Sequence, residues 1–517
     1  MDYLFWQGVI KMDKIVIKHT RIEINNYDIG DCPKLEYLFS VWDPVRHVST
    51  PKGIEYIEDE KKLILPRGLD IPYLENLFGC NAVVDKYNDP FVDMEPVRIK
   101  YLAKDERQLE ILKFILGKDK YQYTLSKSQL SCNSTTGSGK TFVTVASICY
   151  SGARTMIITN SIDWLNQWKD RILEYTTLKE SDIYMISGAS SIYKLYGRNN
   201  PLDYKIFLIS HSTIKSYGDK NGWNSVGELF KFLQCRMKVY DEAHLFFDNM
   251  CRIDFHTNTK KTLYLTATPS RSNQEEDTIY QLYFKNIPSI SLFDENTDPH
   301  VNYFAVHFNS HPRPTDIMNC KNAYGFNRIN YTNYVVTKPN FIKLCNILLD
   351  MVWDIPGKVL IYVGVNDSIT EVYNHLISQF PFLEKCMGIY TSAVKENKEA
   401  NLYKKIILST TKSTGAASDI PELSVVINLA EPFKSHVLAQ QTLGRCRADN
   451  TLYIDVVDEG FYYTKRYYQH KKPIFSQYAK SCKDIYLSDE ELDIRNAKVI
   501  EKYNTYNVMI VPTFKAQ

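Results

Sequence analysis

A glycine-rich segment, STTGSGKT at residues 134–141, has the composition of a loop that binds phosphate groups. It follows the short apolar run QLSCN and precedes the helix-forming run FVTVASICY, so a strand and a helix would flank it. Glycines let the backbone approach a phosphate, a lysine reaches the terminal phosphates, and a hydroxyl at the helix start binds Mg²⁺. The segment therefore predicts a nucleoside triphosphate site made of Ser134, Thr135, Thr136, Gly137, Ser138, Gly139, Lys140 and Thr141, with Thr141 as a Mg²⁺ ligand.

Two adjacent carboxylates, Asp241 and Glu242, follow the apolar run MKVY about 100 residues after the loop. An aspartate at the carboxyl end of a strand can hold Mg²⁺, and the adjacent glutamate can polarise the water that attacks the terminal phosphate. Taken alone, the loop could be an ordinary turn before a helix, because Ser134 replaces the usual first glycine, and the acidic pair could be a solvated loop. Together they predict an ATP-hydrolysing site in which Asp241 binds Mg²⁺ and Glu242 activates water.

These segments and LTATPSR at residues 265–271 resemble motifs I, II and III of superfamily 2 helicases, with DEAH as motif II. Other segments are similar to the remaining motifs in the family's order. They are TMIITNSIDWLNQW (155–168) for motif Ia, ISHSTI (209–214) for a second DNA-contacting loop, VLIYVGVNDS (359–368) for motif IV, TTKSTGAASDIPEL (410–423) for motif V and QQTLGRCR (440–447) for motif VI. The resemblance covers roughly residues 100–450.

The resemblance implies further site residues. Motif VI would supply Gln441 and an arginine that stabilises charge on the transferring phosphoryl group. Arg447 follows Arg445 by two residues where the family commonly has three, so either could be that arginine; Arg445 is preferred because it directly follows Gly444. Gln108, in KDERQLEIL, fits the glutamine that hydrogen-bonds adenine, and a plain helical surface is the alternative for that segment.

Nucleic-acid contacts are indicated in two segments. FYYTKRYYQHKKP interleaves Lys465, Arg466, Lys471 and Lys472 with four tyrosines, a composition typical of phosphate contacts combined with base stacking. The alternative is an amphipathic helix packed on the second α/β domain, with its tyrosines buried and its charges solvated. Arg271, just after motif III, would contact phosphate or cap a domain interface.

The pattern of strands and helices predicts three domains. A chain of 517 residues holds two to four domains at roughly 100–200 residues each. Residues 1–95 have short predicted strands, one short helix and a hairpin, GIEYIEDEKKLILPRGL, that closes at residues 66–68. β-branched runs then alternate with helical segments, as in parallel sheets with crossover helices, while the last thirty residues show no pattern. We expect a small β-rich N-terminal accessory domain with its own core (1–95), followed by two RecA-like α/β domains (96–300 and 301–517).

The overall composition excludes several classes of protein. With 44% hydrophobic and 24% charged residues, the chain is neither disordered nor collagen-like. Its longest apolar runs are shorter than the ~20 residues that cross a bilayer, and its N-terminus does not read as a signal peptide, so we expect a cytoplasmic protein (in the host cytoplasm if viral). The 11 cysteines are scattered without C-x-x-C spacing, which argues against structural zinc. A net charge of +2 means that any polyanion must be bound by local clusters of Lys and Arg.

Within the superfamily, TATPSR, the form of motif V and the compact LGRCR resemble the DNA-directed branch that contains XPB-type helicases and UvsW-type phage branch-migration helicases. The resemblance implies an ATP-dependent DNA helicase or translocase that remodels branched or duplex DNA, such as Holliday junctions, forks or R-loops, in recombination, repair or replication. The N-terminal domain is expected to bind duplex or junction DNA. Two alternatives stay open: a DEAH-type RNA helicase, and an ATP-gated nucleic-acid clamp that separates no strands.

Substituting the two arginines of motif VI one at a time distinguishes their roles. Arg445→Ala should reduce kcat for ATP hydrolysis by roughly 10³-fold or more, with ATP affinity changed much less, because the arginine acts on charge that develops in the transition state. Arg447→Ala should leave kcat far closer to that of the unmodified protein. Steady-state ATPase kinetics measures both, and the opposite pattern would assign the role to Arg447.

Overall fold

Two compact units, Met1–Asp294 and Glu295–Gln517, divide the chain. The computed structural model describes residues 15–43, 47–85, 94–95, 97–134, 139–198, 201–266, 274–292, 301–322, 325–391, 393–394, 398–414, 420–433, 442 and 451–506.

The first unit contains an N-terminal set of strands followed by an alternating α/β series. Its strands are β1 (Ile15–Ile17), β2 (Arg21–Asn25), β3 (Ser40–Asp43), β4 (Val48–Pro51), β5 (Glu55–Ile57), β6 (Lys62–Pro66), β7 (Ala82–Val84), β8 (Gln129–Ser134), β9 (Thr155–Thr159), β10 (Ile183–Ile186), β11 (Ile206–Ser210), β12 (Met237–Tyr240), β13 (Lys261–Thr266) and β14 (Ser289–Leu292). Its helices are α1 (Pro33–Leu38), α2 (Ile71–Phe78), α3 (Glu106–Leu116), α4 (Lys140–Ser151), α5 (Ile162–Tyr175), α6 (Ala189–Tyr196), α7 (His211–Asn221), α8 (Asn224–Phe232), α9 (Phe247–His256) and α10 (Gln274–Phe284).

The second unit repeats the alternation. Its strands are β15 (Val301–Phe308), β16 (Lys321–Asn322), β17 (Gly325–Phe326), β18 (Lys358–Val363), β19 (Met387–Tyr390), β20 (Ile406–Ser409), β21 (Leu423–Ala430), β22 (Thr451–Asp458) and β23 (Ala479–Tyr486). Its helices are α11 (Pro314–Asn319), α12 (Arg328–Val335), α13 (Pro339–Trp353), α14 (Asn366–Gln379), α15 (Thr411–Thr414), α16 (Tyr462–Tyr478) and α17 (Asp489–Tyr506). Short 3₁₀ helices lie at Glu58–Glu60, Asp119–Thr124, Glu180–Asp182, Pro201–Asp203, Pro381–Lys385 and Glu399–Tyr403.

Each unit has a seven-stranded parallel sheet, in the order β10-β11-β9-β12-β13-β8-β14 in the first and β19-β20-β18-β21-β22-β15-β23 in the second. The central strands are continuous apolar runs because helices cover both faces of the sheet. The N-terminal strands form a separate five-stranded sheet, β5-β6-β2-β1-β7, and the β3–β4 hairpin. The predicted fold class, two RecA-like α/β domains after a small β-rich region, is confirmed.

Several elements differ from the sequence predictions. The β5–β6 hairpin exists, but its turn lies at Glu58–Lys61, with Lys61 in the left-handed region at φ +45°, so the predicted closure at residues 66–68 is wrong. The strands β10, β14 and β23 were not predicted. β23 is mostly polar and exposed, so it lacks the apolar run that marks the central strands. Helix α17, near the chain end, packs on α13 through Leu492, Val499 and Tyr503.

The N-terminal sheet does not have a separate core. Its apolar side chains belong to one cluster with residues from one face of the parallel sheet and from α6–α10. The backbone approaches closely at Gly68, where a Cβ atom would lie 2.1 Å from the carbonyl oxygen of Tyr283, and Asn286 donates its N–H to the Gly68 carbonyl at 3.1 Å. Residues 1–95 and 96–294 thus lie in the same compact unit, and the boundary at residue 95 stays a prediction.

A buried carboxylate, Asp254 on α9, lies at the centre of this shared interior. It pairs with Lys238 of β12, and neither side chain is exposed. Tyr240 donates its hydroxyl to Oδ1 at 2.8 Å, while Tyr264 and Tyr283 donate theirs to Oδ2. Burial lowers the pKa of Lys238 against the opposing effect of Asp254, and burial with the nearby carboxylate raises the pKa of all three tyrosines. Such a charge is tolerated inside a protein only with this degree of pairing.

The turn between β1 and β2 contacts the carboxyl end of α9, close to Asp254. Thr20 donates its hydroxyl to the carbonyl of Asp254 at 2.8 Å, and Arg21 donates to the carbonyl of Thr257 at 2.8 Å. Gln129 of β8 donates its amide to the carbonyl of Thr20 at 3.2 Å. The N-terminal sheet is therefore bonded both to α9 and to a strand of the parallel sheet.

Removing residues 1–95 should therefore destabilise the first unit, because the two parts share one core. An N-terminal domain with its own core, as the sequence predicts, would instead leave the rest of the unit folded. Losing the partners of even three or four buried side chains, at about 1.5–3 kcal/mol each, approaches the about 5–15 kcal/mol that stabilises a typical domain. We expect the chain beginning at Pro96 to bind a hydrophobic dye and to lose its cooperative thermal transition, measured by circular dichroism against the full chain. A soluble monomer with the melting temperature of the full chain would contradict the shared core.

Candidate active site

The strand order brings the predicted site residues to one edge of the first parallel sheet. Strands β12, β13 and β8 are neighbours, so their carboxyl ends lie side by side. Asp241 follows β12, Thr266 ends β13, and the glycine-rich segment connects β8 to α4, which begins at Lys140. Lys140 lies near enough to Asp241 to influence its ionisation. This edge is where open α/β sheets bind their ligands.

The glycine-rich segment is described only at its two ends. Thr135, Thr136, Gly137 and Ser138 lie outside the described residues, as does the side chain of Ser134. Gly139 has φ +86°, a left-handed conformation suited to glycine. Lys140 and Thr141 are half-buried in the first turn of α4, at the amino end of the helix.

Gln108, predicted from a separate segment, lies directly beside this loop. A Cβ atom on Gly139 would lie 2.1 Å from Nε2 of Gln108, so the glutamine amide lies directly against the loop backbone. The backbone N–H of Gln108 donates to Asp105 Oδ1 at 2.9 Å, which caps α3, and its Oε1 accepts the N–H of Lys104 at 2.9 Å. The structure thus places Gln108 at the loop, while its contact with adenine stays a prediction.

The turn that carries the two carboxylates is tied to the strands on either side. Asp241 donates its N–H to the carbonyl of Ile158 at 3.0 Å, and Ala243 donates to the carbonyl of Leu265 at 2.9 Å. Glu242 has φ +50°, which is costly for a residue other than glycine and is common at functional sites. These bonds fix the turn between β9 and β13.

Glu242 is buried at 6% exposure, and its Oε2 has no hydrogen-bond partner among the described atoms. Nδ1 of His244 lies 3.4 Å from that oxygen and 2.8 Å from the hydroxyl of Thr266, which is also buried. A buried carboxylate oxygen without a partner is unfavourable unless it accepts a hydrogen bond from water or substrate. Glu242 therefore fits the predicted function of binding the attacking water.

Trp168 of α5 donates its indole N–H to Oδ2 of Asp241 at 2.8 Å. Burial and the Glu242 carboxylate raise the pKa of Asp241 to about 6, whereas the Trp168 bond and Lys140 act in the opposite direction. The carboxylate of Asp241 and the hydroxyl of Thr141 are oxygen ligands of the type Mg²⁺ prefers, so the residues present fit this ion. The sequence placed Trp168 in the motif Ia segment without indicating its contact with Asp241.

Four other predicted residues lie outside the described part of the chain. They are Gln441, Arg445, Arg447 and Arg271. The choice between the two motif VI arginines therefore stays a prediction.

The basic segment after β22 forms α16, whose inner face is buried against the second sheet, as the amphipathic alternative predicts. Lys471 is 3% exposed, and its Nζ lies 2.7 Å from Oδ2 of Asp455. The predicted contact of Lys471 with nucleic acid is wrong, because the side chain is buried and its charge is paired with Asp455. Lys472 pairs with an aspartate at 2.5 Å, Lys465 lies 3.8 Å from a glutamate, and Arg466 is exposed.

Within the described ranges, no helix is both long and apolar enough to cross a membrane. In the same ranges, no three His, Cys, Asp or Glu side chains cluster so that they could hold a metal ion. The described cysteines are all free thiols.

Comparison with known families finds similarity in the first unit, and similarity to DNA helicases. Residues 104–271 match the family model described as Type III restriction enzyme, res subunit. A putative DNA 3′-5′ helicase Rad25 of Haloarcula marismortui is 28% identical over 162 residues, which are 31% of this chain and 23% of that protein. The DNA 3′-5′ helicase XPB of Mycobacterium tuberculosis is 29% identical over 147 residues, 28% of this chain and 24% of that protein. The matches thus span about a quarter of each relative's length.

Solved structures show the same fold. Saccharomyces cerevisiae Dbp5 bound to RNA and ADP BeF3 aligns with 78% of this chain and 94% of its own, at a TM-score of 0.51 and 14% identity. The crystal structure of T4 UvsW aligns with 92% of this chain at a TM-score of 0.36, too low a similarity to support an argument. The fold is that of tandem RecA-like domains, and the resemblance to superfamily 2 helicases is confirmed.

Replacing Trp168 with Phe keeps the packed ring and removes the indole N–H. We expect the Mg²⁺ concentration needed for half-maximal nucleotide binding to rise about tenfold, the effect of losing one hydrogen bond to a carboxylate. Titrating Mg²⁺ against a fluorescent ATP analogue measures this shift. Trp164→Phe, at another buried position on the same helix, is the matched control and should cause no shift. An equal Mg²⁺ dependence in both variants would show that Trp168 serves only packing.

Proposed function

We propose that the chain is an ATP-dependent DNA helicase or translocase that remodels branched DNA in recombination, repair or replication. The catalytic part rests on the buried Oε2 of Glu242, which has no hydrogen-bond partner among the residues that the structure describes. This oxygen lies beside Asp241 and at the same sheet edge as Lys140. The DNA substrate is supported by the names of the two relatives, which are both DNA 3′-5′ helicases. The family model matches residues 104–271, a range that contains Lys140, Asp241 and Glu242.

Each residue of the site has a defined chemical task in this proposal. Lys140 and the N–H groups at the start of α4 bind the phosphates, and Thr141 and Asp241 hold Mg²⁺. When bound, Mg²⁺ neutralises charge on the phosphate oxygens. Glu242 accepts a hydrogen bond from the attacking water and orients it toward the terminal phosphate. Trp168 keeps the Asp241 carboxylate in a fixed orientation.

A hydrogen bond links this chemistry to the segment that resembles motif III. His244 bonds to Thr266, the last residue of β13, and the motif III segment continues directly from there. A change at Glu242 during hydrolysis would therefore reach that segment through one side chain. Recognition of branched DNA by the N-terminal region remains part of the proposal, and its Lys61 and Lys62 pair with Asp28 and Glu60.

Two substitutions test the ATPase site. Glu242→Gln should bind ATP normally and lower kcat by roughly 10²- to 10⁴-fold, because water activation is lost while the phosphate contacts remain. Lys140→Ala should lose hydrolysis through loss of phosphate binding. Nucleotide affinity and phosphate release are measured separately, with Glu228→Gln on the exposed face of α8 as the control. Full turnover in Glu242→Gln would refute the assignment.

The DNA substrate is tested by comparing the stimulation of ATP hydrolysis by four nucleic acids. We expect a four-way junction to stimulate more than a plain duplex, a single strand or structured RNA, and to undergo ATP-dependent branch migration. Strongest stimulation by RNA would favour the RNA helicase alternative. Hydrolysis without branch migration or strand separation would favour the clamp.

A further inference from the structure

An aromatic surface lies where the outer face of α16 meets the strand β17. The rings of Phe326 and Tyr463 stack with their centroids 5.0 Å apart and an interplanar angle of 12°. Tyr467 meets the same phenylalanine edge-on, at 5.8 Å and 78°. All three rings are half-buried. We call these three residues, with Arg328 and Arg466, the arginine–tyrosine surface.

The two tyrosines lie on the flank of α16, between its buried side and its exposed side, and both are half-buried. The residues that α16 and its cap bury are spaced three or four apart, as expected for an amphipathic helix: Phe461, Thr464, Tyr468, Lys471 and Phe475. Tyr463, Arg466 and Tyr467 fall between them, and the adjacent Tyr462 is 66% exposed. Tyr462 is therefore accessible, and Tyr463 and Tyr467 each keep part of the ring exposed.

Two arginines from separate elements flank these rings. Arg328 begins α12 two residues after Phe326, and Arg466 lies on α16 between Tyr463 and Tyr467. Burial raises the pKa of Tyr467, and both arginines oppose that shift. Both side chains are exposed, and neither has a carboxylate partner within the described part of the unit. By contrast, Lys471 and Lys472 of the same helix are paired with aspartates. The arginine–tyrosine surface thus combines stacking rings with two positive charges that no described carboxylate neutralises.

This surface lies at the carboxyl edge of the second parallel sheet. Helix α16 follows β22, and Thr332 of α12 donates its hydroxyl to the carbonyl of Ala430, the last residue of β21, at 2.9 Å. The segments that resemble motifs IV and V follow β18 and β20 and so begin at the same edge. The arginine–tyrosine surface therefore lies at the same sheet edge as the segments that resemble motifs IV and V.

We propose that Phe326, Arg328, Tyr463, Arg466 and Tyr467 bind single-stranded nucleic acid. The guanidinium groups would contact successive phosphates, and the rings would stack on bases, which requires no particular sequence. This inference rests on the proposed function, and it assigns the nucleic-acid contact to the outer face of α16 together with the start of α12. Lys471 and Lys472 take no part.

The test compares the double variant Arg328→Gln/Arg466→Gln with Arg495→Gln/Lys498→Gln, which removes the same charge from exposed positions on α17. Fluorescence anisotropy with a labelled single strand of mixed sequence is recorded between about 50 mM and 200 mM salt. We expect the first variant to reduce the slope of log affinity against log salt by about 1.4, or about 0.7 for each lost phosphate contact. The control should retain the slope of the unmodified chain.

A second variant separates charge from folding. Arg328→Lys/Arg466→Lys keeps both charges and should recover most of the salt dependence. Both double variants should keep the melting temperature of the unmodified chain, measured by circular dichroism. Reduced affinity with an unchanged slope would overturn the inference, as would weaker binding of a duplex probe with the single strand unaffected. If the unmodified chain binds the strand and the glutamine variant binds equally well, only this surface is refuted. If the unmodified chain binds no nucleic acid, the proposed function fails with it.

Discussion

Asp254 is a fully buried carboxylate that Lys238 and three tyrosine hydroxyls surround, and the arrangement of the first unit depends on this pairing. Leaving such a carboxylate without its cation costs about 3–5 kcal/mol, a large part of the stability of a domain. Lys238 and Tyr240 lie on β12, the strand that ends at Asp241, and Thr20 of the N-terminal turn bonds to the backbone of Asp254. The same pairing therefore holds together the N-terminal sheet, α9 and the strand that presents the site carboxylates.

The turn after β12, which carries Asp241 and Glu242, has features that cost conformational and electrostatic free energy. Glu242 has a left-handed backbone and a buried oxygen without a described partner, and the Asp241 carboxyl has a raised pKa because burial and Glu242 disfavour its charge. Strained backbone and perturbed ionisation occur together at functional sites, where the surrounding structure enforces them. Here the enforcing contacts are the backbone bonds to Ile158 and Leu265 and the indole of Trp168. The unfavourable features become useful when Mg²⁺, nucleotide and water supply the missing partners.

Local patterns in the sequence predicted the central parallel strands, the glycine-rich loop and the acidic pair, because each depends on residues close together in the chain. Contacts between distant segments were not predictable in this way. Trp168 and Asp241 are 73 residues apart, and Thr20 and Asp254 are 234 apart. The composition of the α16 segment showed lysines, arginine and tyrosines but not which of them face the sheet. The helix buries Lys471, whose charge has a structural function, and leaves Arg466 exposed, so Arg466 is available for binding.

We expect the N-terminal sheet and the nucleotide site to behave as one cooperative unit when Mg²⁺ and ATP bind, because they share one core. Native-state hydrogen exchange, with and without a non-hydrolysable ATP analogue and Mg²⁺, tests both parts at once. At an analogue concentration about 100 times its Kd, we expect the slowest amides of β2, β12 and α4 to gain the same protection, about 2.7 kcal/mol, because ligand binding stabilises the whole unit against opening. Protection gained in β12 and α4 while β2 exchanges at its own unchanged rate, or no protection in any of them, would contradict the claim.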